Sequence, residues 1–171
     1  RQMLIDVAHL SETSLAAVYN LAAANNYFPI HMSHSEFRTV YPPEDQGERD
    51  LSIDQVEMIR TTGGMVGLLP GPREFRHYEN STLNVCHGSA RSFAQQYDFG
   101  AKELGVSIAF GSDLNCFTAH NRPRFGEDRP CSASKVKQEA ICQARYEREH
   151  NTARTNSDFD TTGLGHIAQL P

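Results

Sequence analysis

The chain has 171 residues, of which 39% are hydrophobic and 22% are charged, so it is long enough to form one domain with a hydrophobic core. Lys and Arg total 16 against 21 Asp and Glu, which gives a net charge of −5 and leaves no basic stripe, so we expect no nucleic-acid partner. No apolar run approaches the roughly 20 residues that a membrane-spanning helix needs.

Strand-like and helix-like segments alternate along the first two thirds of the chain. The predicted strands cover residues 3–9, 27–33, 64–69 and 106–113. The predicted helices cover residues 12–26, 52–64 and 89–105, and a further polar helix covers 134–149. Ser11 is a predicted N-cap, and Ser52 with Gln55 three residues later forms a predicted capping box. Loops are predicted at 34–51 and 70–87.

This alternation indicates an α/β fold whose parallel strands are buried on both faces. Two architectures fit the pattern: an open doubly wound sheet, or part of a (β/α)8 TIM barrel. No glycine-rich phosphate loop follows a strand, which disfavours a nucleotide-binding doubly wound fold. A full barrel needs about 250 residues and eight strands. Four strands therefore predict half a barrel.

Three of the predicted strands end on a polar side chain that can bind a metal. "IDVAHLSE" (5–12) contains His9, "FPIHMSHSEF" (28–37) contains His34, and "IAFGSD" (108–113) ends on Asp113. Alternation along a strand predicts three inward-facing rows, with Val106, Ile108 and Phe110 facing the helices. The rows are Ile5, Val7, His9; Phe28, Ile30, Met32, His34; and Ser107, Ala109, Gly111, Asp113. Two imidazoles and a carboxylate suit a divalent transition metal.

These stretches, in this order and spacing, resemble the membrane (renal) dipeptidase family of the amidohydrolase superfamily. "ERDLSIDQVEMIRTTGGMVGLL" (48–69) and the closing "FDTTGLGHIAQLP" are similar to segments of the same family or its relatives. The resemblance implies a (β/α)8 barrel with a two-metal centre, usually zinc, that hydrolyses dipeptides. This chain would then be the C-terminal half, residues 1–171, covering roughly strands 5 to 8.

The resemblance also implies individual roles. His9 and His34 match the histidines that close the fifth and sixth strands and bind metal. Asp113 matches the eighth-strand aspartate, which binds metal and handles the proton of the attacking water. Arg49 matches an arginine that holds the terminal carboxylate of the substrate, and Arg38 is its competitor for this role.

The family's first-strand His-x-Asp pair and its bridging carboxylate have no counterpart in the sequence. We therefore expect the N-terminal half of the barrel, with the remaining ligands, to be missing from this chain. Other readings stay open: an amidohydrolase acting on another amide, ester or lactone, a non-catalytic barrel used for binding, or a single-metal His₂Asp site. A homodimer is possible, and the compartment is undetermined.

The remaining polar residues receive weaker assignments. His120, in the loop after Asp113, could reach substrate or could be solvated. His31 is expected to face away from the site and pack against a helix. Asp6 and Ser33 lie near the two histidines in sequence, but strand alternation turns them away, so they are assigned no role. The other histidines and two arginines are expected to be structural or exposed: His77, His87, His150, His166, Arg122 and Arg124. Cys116 could pair with Cys131 in an exported protein, although free thiols are favoured.

Overall fold

Four short parallel strands lie side by side in the order in which they occur in the chain. The computed structural model describes residues 3–71, 88–114 and 120–121. The strands are β1 (Ile5–Asp6), β2 (Ile30–Ser35), β3 (Met65–Leu68) and β4 (Ser107–Phe110). The helices are α1 (Glu12–Ala24), α2 (Ile53–Thr61) and α3 (Ala90–Asp98), and short 3₁₀ turns cover Arg38–Val40 and Pro43–Asp45. The prediction of an α/β fold with a parallel sheet is confirmed.

Local capping sets where the helices begin. The Ser11 hydroxyl accepts a hydrogen bond from the Ser14 N–H at the start of α1. At the start of α2, the Ser52 hydroxyl accepts from the Gln55 N–H while the Gln55 side chain accepts from the Ser52 N–H, so the predicted capping box is confirmed. The predicted helix over 89–105 is not uniform, because α3 passes into a π-helical segment, Phe99–Glu103.

The described helices of the three crossover connections lie on the same face of the sheet. Residues paired across parallel strands point to one face, and Met32, Val66 and Ile108 are such a set. Their face packs into one hydrophobic core with the helices. The buried members from strands and helices include Val7, Ile30, Met32, Val66, Leu68, Val106, Leu15, Val56 and Ile59. Burial of this apolar face is what holds the described layers together.

The opposite face of the sheet carries no helix among the described elements, and its residues are small, polar or exposed. Asp6 pairs with His31, and Met65 pairs with Ser107, which assigns these four side chains to this open face. Met65 is 47% exposed there. The prediction that His31 packs against a helix is therefore wrong.

The alternation argument also fails for two of the three rows assigned to the site. Val7, Ile30 and Met32 lie in the core beneath the helices, on the face opposite to Asp6 and His31. In β4 the argument is correct, since Val106 and Ile108 pack with the core. If β1 and β2 continued as regular strands, their histidines would point into the helical layer.

A β-bulge in β2 resolves this conflict for His34. Met32 pairs with Val66 and Ser35 pairs with Leu68, so three steps along β2 match two steps along β3. The extra residue shifts the alternation by one and places Ser33 and His34 together on the open face. The Ser33 carbonyl at this bulge lies against Gly67 and Gly111, where a Cβ would overlap its oxygen.

Several predictions from the sequence concern residues outside the described ranges. These are the helix over 134–149, all four cysteines, and the roles suggested for His77, His87, His150, His166, Arg122 and Arg124. Among the described helices, none combines the length and apolar character needed to cross a membrane.

We expect Gly111→Ala to lower the free energy of unfolding by about 1–3 kcal/mol, because the new methyl meets backbone atoms that cannot rotate away. Besides Ser33 O, an added Cβ would lie 2.8 Å from the Gly67 carbonyl carbon. Denaturant unfolding measures the change. Gly47→Ala is the matched control, since its nearest atom is Asp50 Oδ2 at 3.7 Å. Equal losses in the two variants would contradict this explanation.

Candidate metal centre

His9 reaches the open face through a turn that follows β1. The strand ends at Asp6, although the Val7 N–H still donates to the His31 carbonyl at 2.9 Å. Asp6 Oδ1 then accepts the Ala8 N–H at 3.0 Å, which bends the chain, and His9 takes a left-handed conformation with φ of 62°. A non-glycine residue adopts this conformation only where the surroundings impose it. The turn, rather than strand alternation, therefore sets the direction of His9.

His34 is oriented by its neighbour Ser33 as well as by the bulge. The Ser33 hydroxyl lies 2.9 Å from His34 Nδ1, and the Ser33 N–H donates to Asp6 Oδ1 at 3.0 Å. The expectation that Ser33 is turned away from His34 is thus wrong. It assumed regular alternation, which the bulge removes.

The two imidazoles and the carboxylate lie next to one another at the carboxyl ends of their strands. His9 Nε2 and His34 Nε2 are 2.9 Å apart, and the ring centroids are 4.8 Å apart with an interplanar angle of 59°. Asp113 Oδ2 lies 4.0 Å from His34 Nε2. Asp113, like His9, has a positive φ, of 45°. The side chains of His34 and Asp113 are 19% and 32% exposed, so the site opens to solvent.

This donor set fits a divalent metal in its chemistry. Two neutral imidazoles and one carboxylate are common zinc ligands, and both Nε2 atoms face each other. Two nitrogens on one tetrahedral zinc ion, with Zn–N near 2.05 Å, stand about 3.3 Å apart, so a small side-chain rotation separates them enough. Within the described residues, however, no three His, Cys, Asp or Glu side chains already form a group that could hold a metal ion. The role of these residues as ligands stays a prediction.

Arg49 and Arg38 lie beside this rim in different environments. Arg38 forms an ion pair with Glu12 at 2.6 Å and donates to the carbonyls of Asp50 and Glu48. It therefore joins the loop to the first turn of α1. Arg49 is exposed, and its side chain has no partner among the described residues. Its carbonyl accepts a hydrogen bond from the Ser35 hydroxyl at 2.9 Å, one residue beyond His34. A role for Arg49 in binding substrate stays a prediction.

His120 is held close to the segment that carries Asp113. Its Nε2 lies 2.7 Å from the Ser112 carbonyl oxygen, so Nε2–H donates this hydrogen bond. The adjacent Asn121 is buried and donates to the Gly71 carbonyl at 2.7 Å. His120 thus lies near the predicted site, and a role in binding substrate stays a prediction.

Asp6 is the residue that interpretation of the sequence missed most clearly. Burial by itself raises the pKa of Asp6, but hydrogen bonds from the Ser33 hydroxyl and from the N–H groups of Ala8 and Ser33 outweigh it. The nearby His31 ring adds to their effect, so the pKa lies below its ordinary value. A carboxylate three residues before a strand-end histidine was the available signal. Its significance depended on the bulge, which the sequence did not indicate.

Partial structural matches to this chain include two solved structures of known proteins. No model of a known protein family matches the chain, and no curated protein matches it. The probable dipeptidase PvdM from Pseudomonas aeruginosa is 30% identical over 41% of this chain and 16% of its own, with a TM-score of 0.35. A dipeptidase AC of metallopeptidase family M19 is 21% identical over 83% of this chain and 36% of its own, with a TM-score of 0.47. The first neighbour is a probable dipeptidase, and the second is a dipeptidase.

We expect the stability of the protein to depend on Asp6 at acidic pH. The pKa of Asp6 in the folded protein lies below the ordinary value of 3.8. The contribution of ionised Asp6 to the free energy of unfolding is therefore complete above pH 3.8. It is lost as the pH falls through the pKa of the folded state. As the pH falls through 3.8 and below, the wild type should therefore lose more stability than Asp6→Asn. Denaturant unfolding at each pH measures this difference.

Glu103→Gln, which removes an exposed carboxylate on the π-helical segment, is the control and should follow the wild type. Parallel pH profiles for the wild type and Asp6→Asn would contradict the role given to Asp6.

Proposed function

We propose that this chain forms part of a metal-dependent hydrolase of dipeptidase type. The observation that carries the proposal is the meeting of His9, His34 and Asp113 at the carboxyl ends of parallel strands, with Nε2 atoms 2.9 Å apart and the carboxylate 4.0 Å from one of them. In barrels of parallel strands, catalytic groups lie at this end. The motifs resembling the membrane dipeptidase family agree with this chemistry.

We further propose that the four strands are strands 5 to 8 of a (β/α)8 barrel. Their order follows the chain without the reversal that a doubly wound sheet requires, and the described helices all cover one face. The other face bears polar and small residues, and apolar side chains are exposed at both edges: Met3 and Leu4 before β1, Phe110 and Leu114 at β4. Further strands that close the barrel would cover this face and pair these edges.

Each residue of the site has a role that follows from its chemistry. His9 and His34 would hold a divalent ion, zinc being the best match to this donor set, with a second ion bound by ligands from the remaining half. When bound, such an ion lowers the pKa of water towards about 7 and polarises the scissile carbonyl. Asp113 would accept the proton of the attacking water and transfer it to the leaving amine.

Arg49 would bind the terminal carboxylate of a peptide substrate. Its planar guanidinium can donate two parallel hydrogen bonds to a carboxylate, which a lysine cannot do. The bond from the Ser35 hydroxyl to the Arg49 carbonyl keeps this residue beside the strand end that bears His34. His120, held by the Ser112 carbonyl, would border the same pocket.

We expect Asp113→Asn to lower kcat for dipeptide hydrolysis by about 10²–10⁴-fold, since it removes the proton acceptor. His34→Ala should lose bound metal along with activity. Metal analysis and turnover of a dipeptide panel by the intact protein provide the measurements. His31→Gln, on the same strand and face, is the control and should retain both. Unchanged metal content and turnover in His34→Ala would refute the proposal and favour a non-catalytic binding role.

We expect Arg49→Ala to raise KM by about 10- to 100-fold for dipeptides with a free C-terminal carboxylate, the equivalent of about 1.5–3 kcal/mol for a charged hydrogen bond. C-terminally amidated dipeptides lack the carboxylate and should show little change. Arg60→Ala is the matched control, because that exposed arginine pairs with Glu57 on α2. An equal effect on free and amidated substrates would assign Arg49 another role.

A further inference from the structure

Asp6 links the two segments that carry the imidazoles. Asp6 Oδ1 accepts the Ala8 N–H before His9 and the Ser33 N–H before His34, each at 3.0 Å. Ser33 in turn places its hydroxyl 2.9 Å from His34 Nδ1. We propose that Asp6 and Ser33 are positioning residues that hold His34 in the Nδ1–H tautomer, so that its Nε2 lone pair faces the metal. This inference rests on the proposed function.

The direction of the hydrogen bonds follows from the proposed metal-binding role. A nitrogen that binds a metal must keep its lone pair, so binding through Nε2 requires the His34 proton to be on Nδ1. Nδ1–H then donates to the Ser33 oxygen 2.9 Å away. The single hydroxyl hydrogen of Ser33 is then directed to another acceptor, and its effect on the pKa of Asp6 supports that carboxylate as the acceptor. The other nitrogen, Nε2, is left with a lone pair, and it is the nitrogen that points at His9.

In this proposal, Asp6 Oδ1 also sets the positions of the His9 and His34 rings. His9 and His34 are 25 residues apart in the sequence, and both lie where the backbone leaves regular strand geometry. Asp6 Oδ1 accepts the Ala8 N–H in the turn and the Ser33 N–H in the bulge. The carboxylate therefore connects the turn to the bulge directly. Outer partners of this kind set ring orientation and ligand basicity at metal sites.

The test measures metal affinity in the intact protein, with zinc ion as the probe and a chromophoric chelator as competitor. Ser33→Ala should weaken zinc binding by about 10- to 100-fold. Ser33→Thr, which keeps the hydroxyl, should restore most of the affinity. Ser107→Ala removes a hydroxyl from the same face of the sheet that has no hydrogen bond among the described residues, and it should bind zinc like the wild type. Affinity of Ser33→Ala within about twofold of the wild type would overturn the proposal.

A second measurement detects the tautomer of His34 directly, and its main result comes from the wild type. Long-range ¹H–¹⁵N spectra of the metal-free wild type should show His34 protonated at Nδ1, and Ser33→Ala should shift it towards the Nε2–H form. A wild-type His34 protonated at Nε2 would overturn the proposal even if Ser33→Ala did not fold.

The variant His34→Ala separates this inference from the function on which it depends. If His34→Ala loses zinc while Ser33→Ala binds it normally, the positioning role fails and the hydrolase proposal stands. If His34→Ala binds zinc and turns over substrate normally, the proposed function itself fails.

Discussion

The carboxylate of Asp6 is the constraint on which the arrangement of the site depends. One of its oxygens accepts N–H groups from two segments far apart in sequence, the turn before His9 and the bulge before His34. Hydrogen bonds to an ionised acceptor are stronger than neutral ones, so a single exposed side chain can join both segments. The two segments joined in this way carry the imidazoles whose Nε2 atoms lie 2.9 Å apart.

The candidate site consists of local departures from regular structure, supported by a regular framework. His9 and Asp113 have positive φ angles, and His34 follows a bulge. Such conformations cost of order 1–3 kcal/mol each and persist where the surroundings determine them. Here the surroundings are the core beneath the helices, the capped start of α1, and two glycines that leave room for the Ser33 carbonyl. The framework thus stabilises a geometry that the isolated segments would not adopt.

The loop between β2 and α2 is joined to both the sheet and the first helix. Phe37 pairs with Leu51 at its base, and Arg38 joins the loop to Glu12 on α1. The Glu12 N–H also donates to the Glu48 carboxylate, so both ends of the loop contact the helix that follows His9. This bracing leaves the adjacent Arg49 exposed at the rim, with its backbone tied to Ser35. Arg38 therefore organises the loop, whereas the Arg49 side chain extends from it into solvent.

From the sequence alone came the order of strands and helices, the capping box at Ser52, the parallel α/β fold, and the three side chains suspected of binding a metal. These follow from short-range pattern, because hydrophobic spacing and capping residues act within one or two turns of chain. The tertiary structure decided how those side chains reach one face. Alternation would have buried His34 beneath the helices and turned Ser33 away from it. A bulge reverses alternation, and this bulge is accommodated by Gly67 on β3 and by Gly111 directly after β4. The sequence of β2 alone therefore does not predict the bulge, because neighbouring segments of the sheet provide the space for the extra residue.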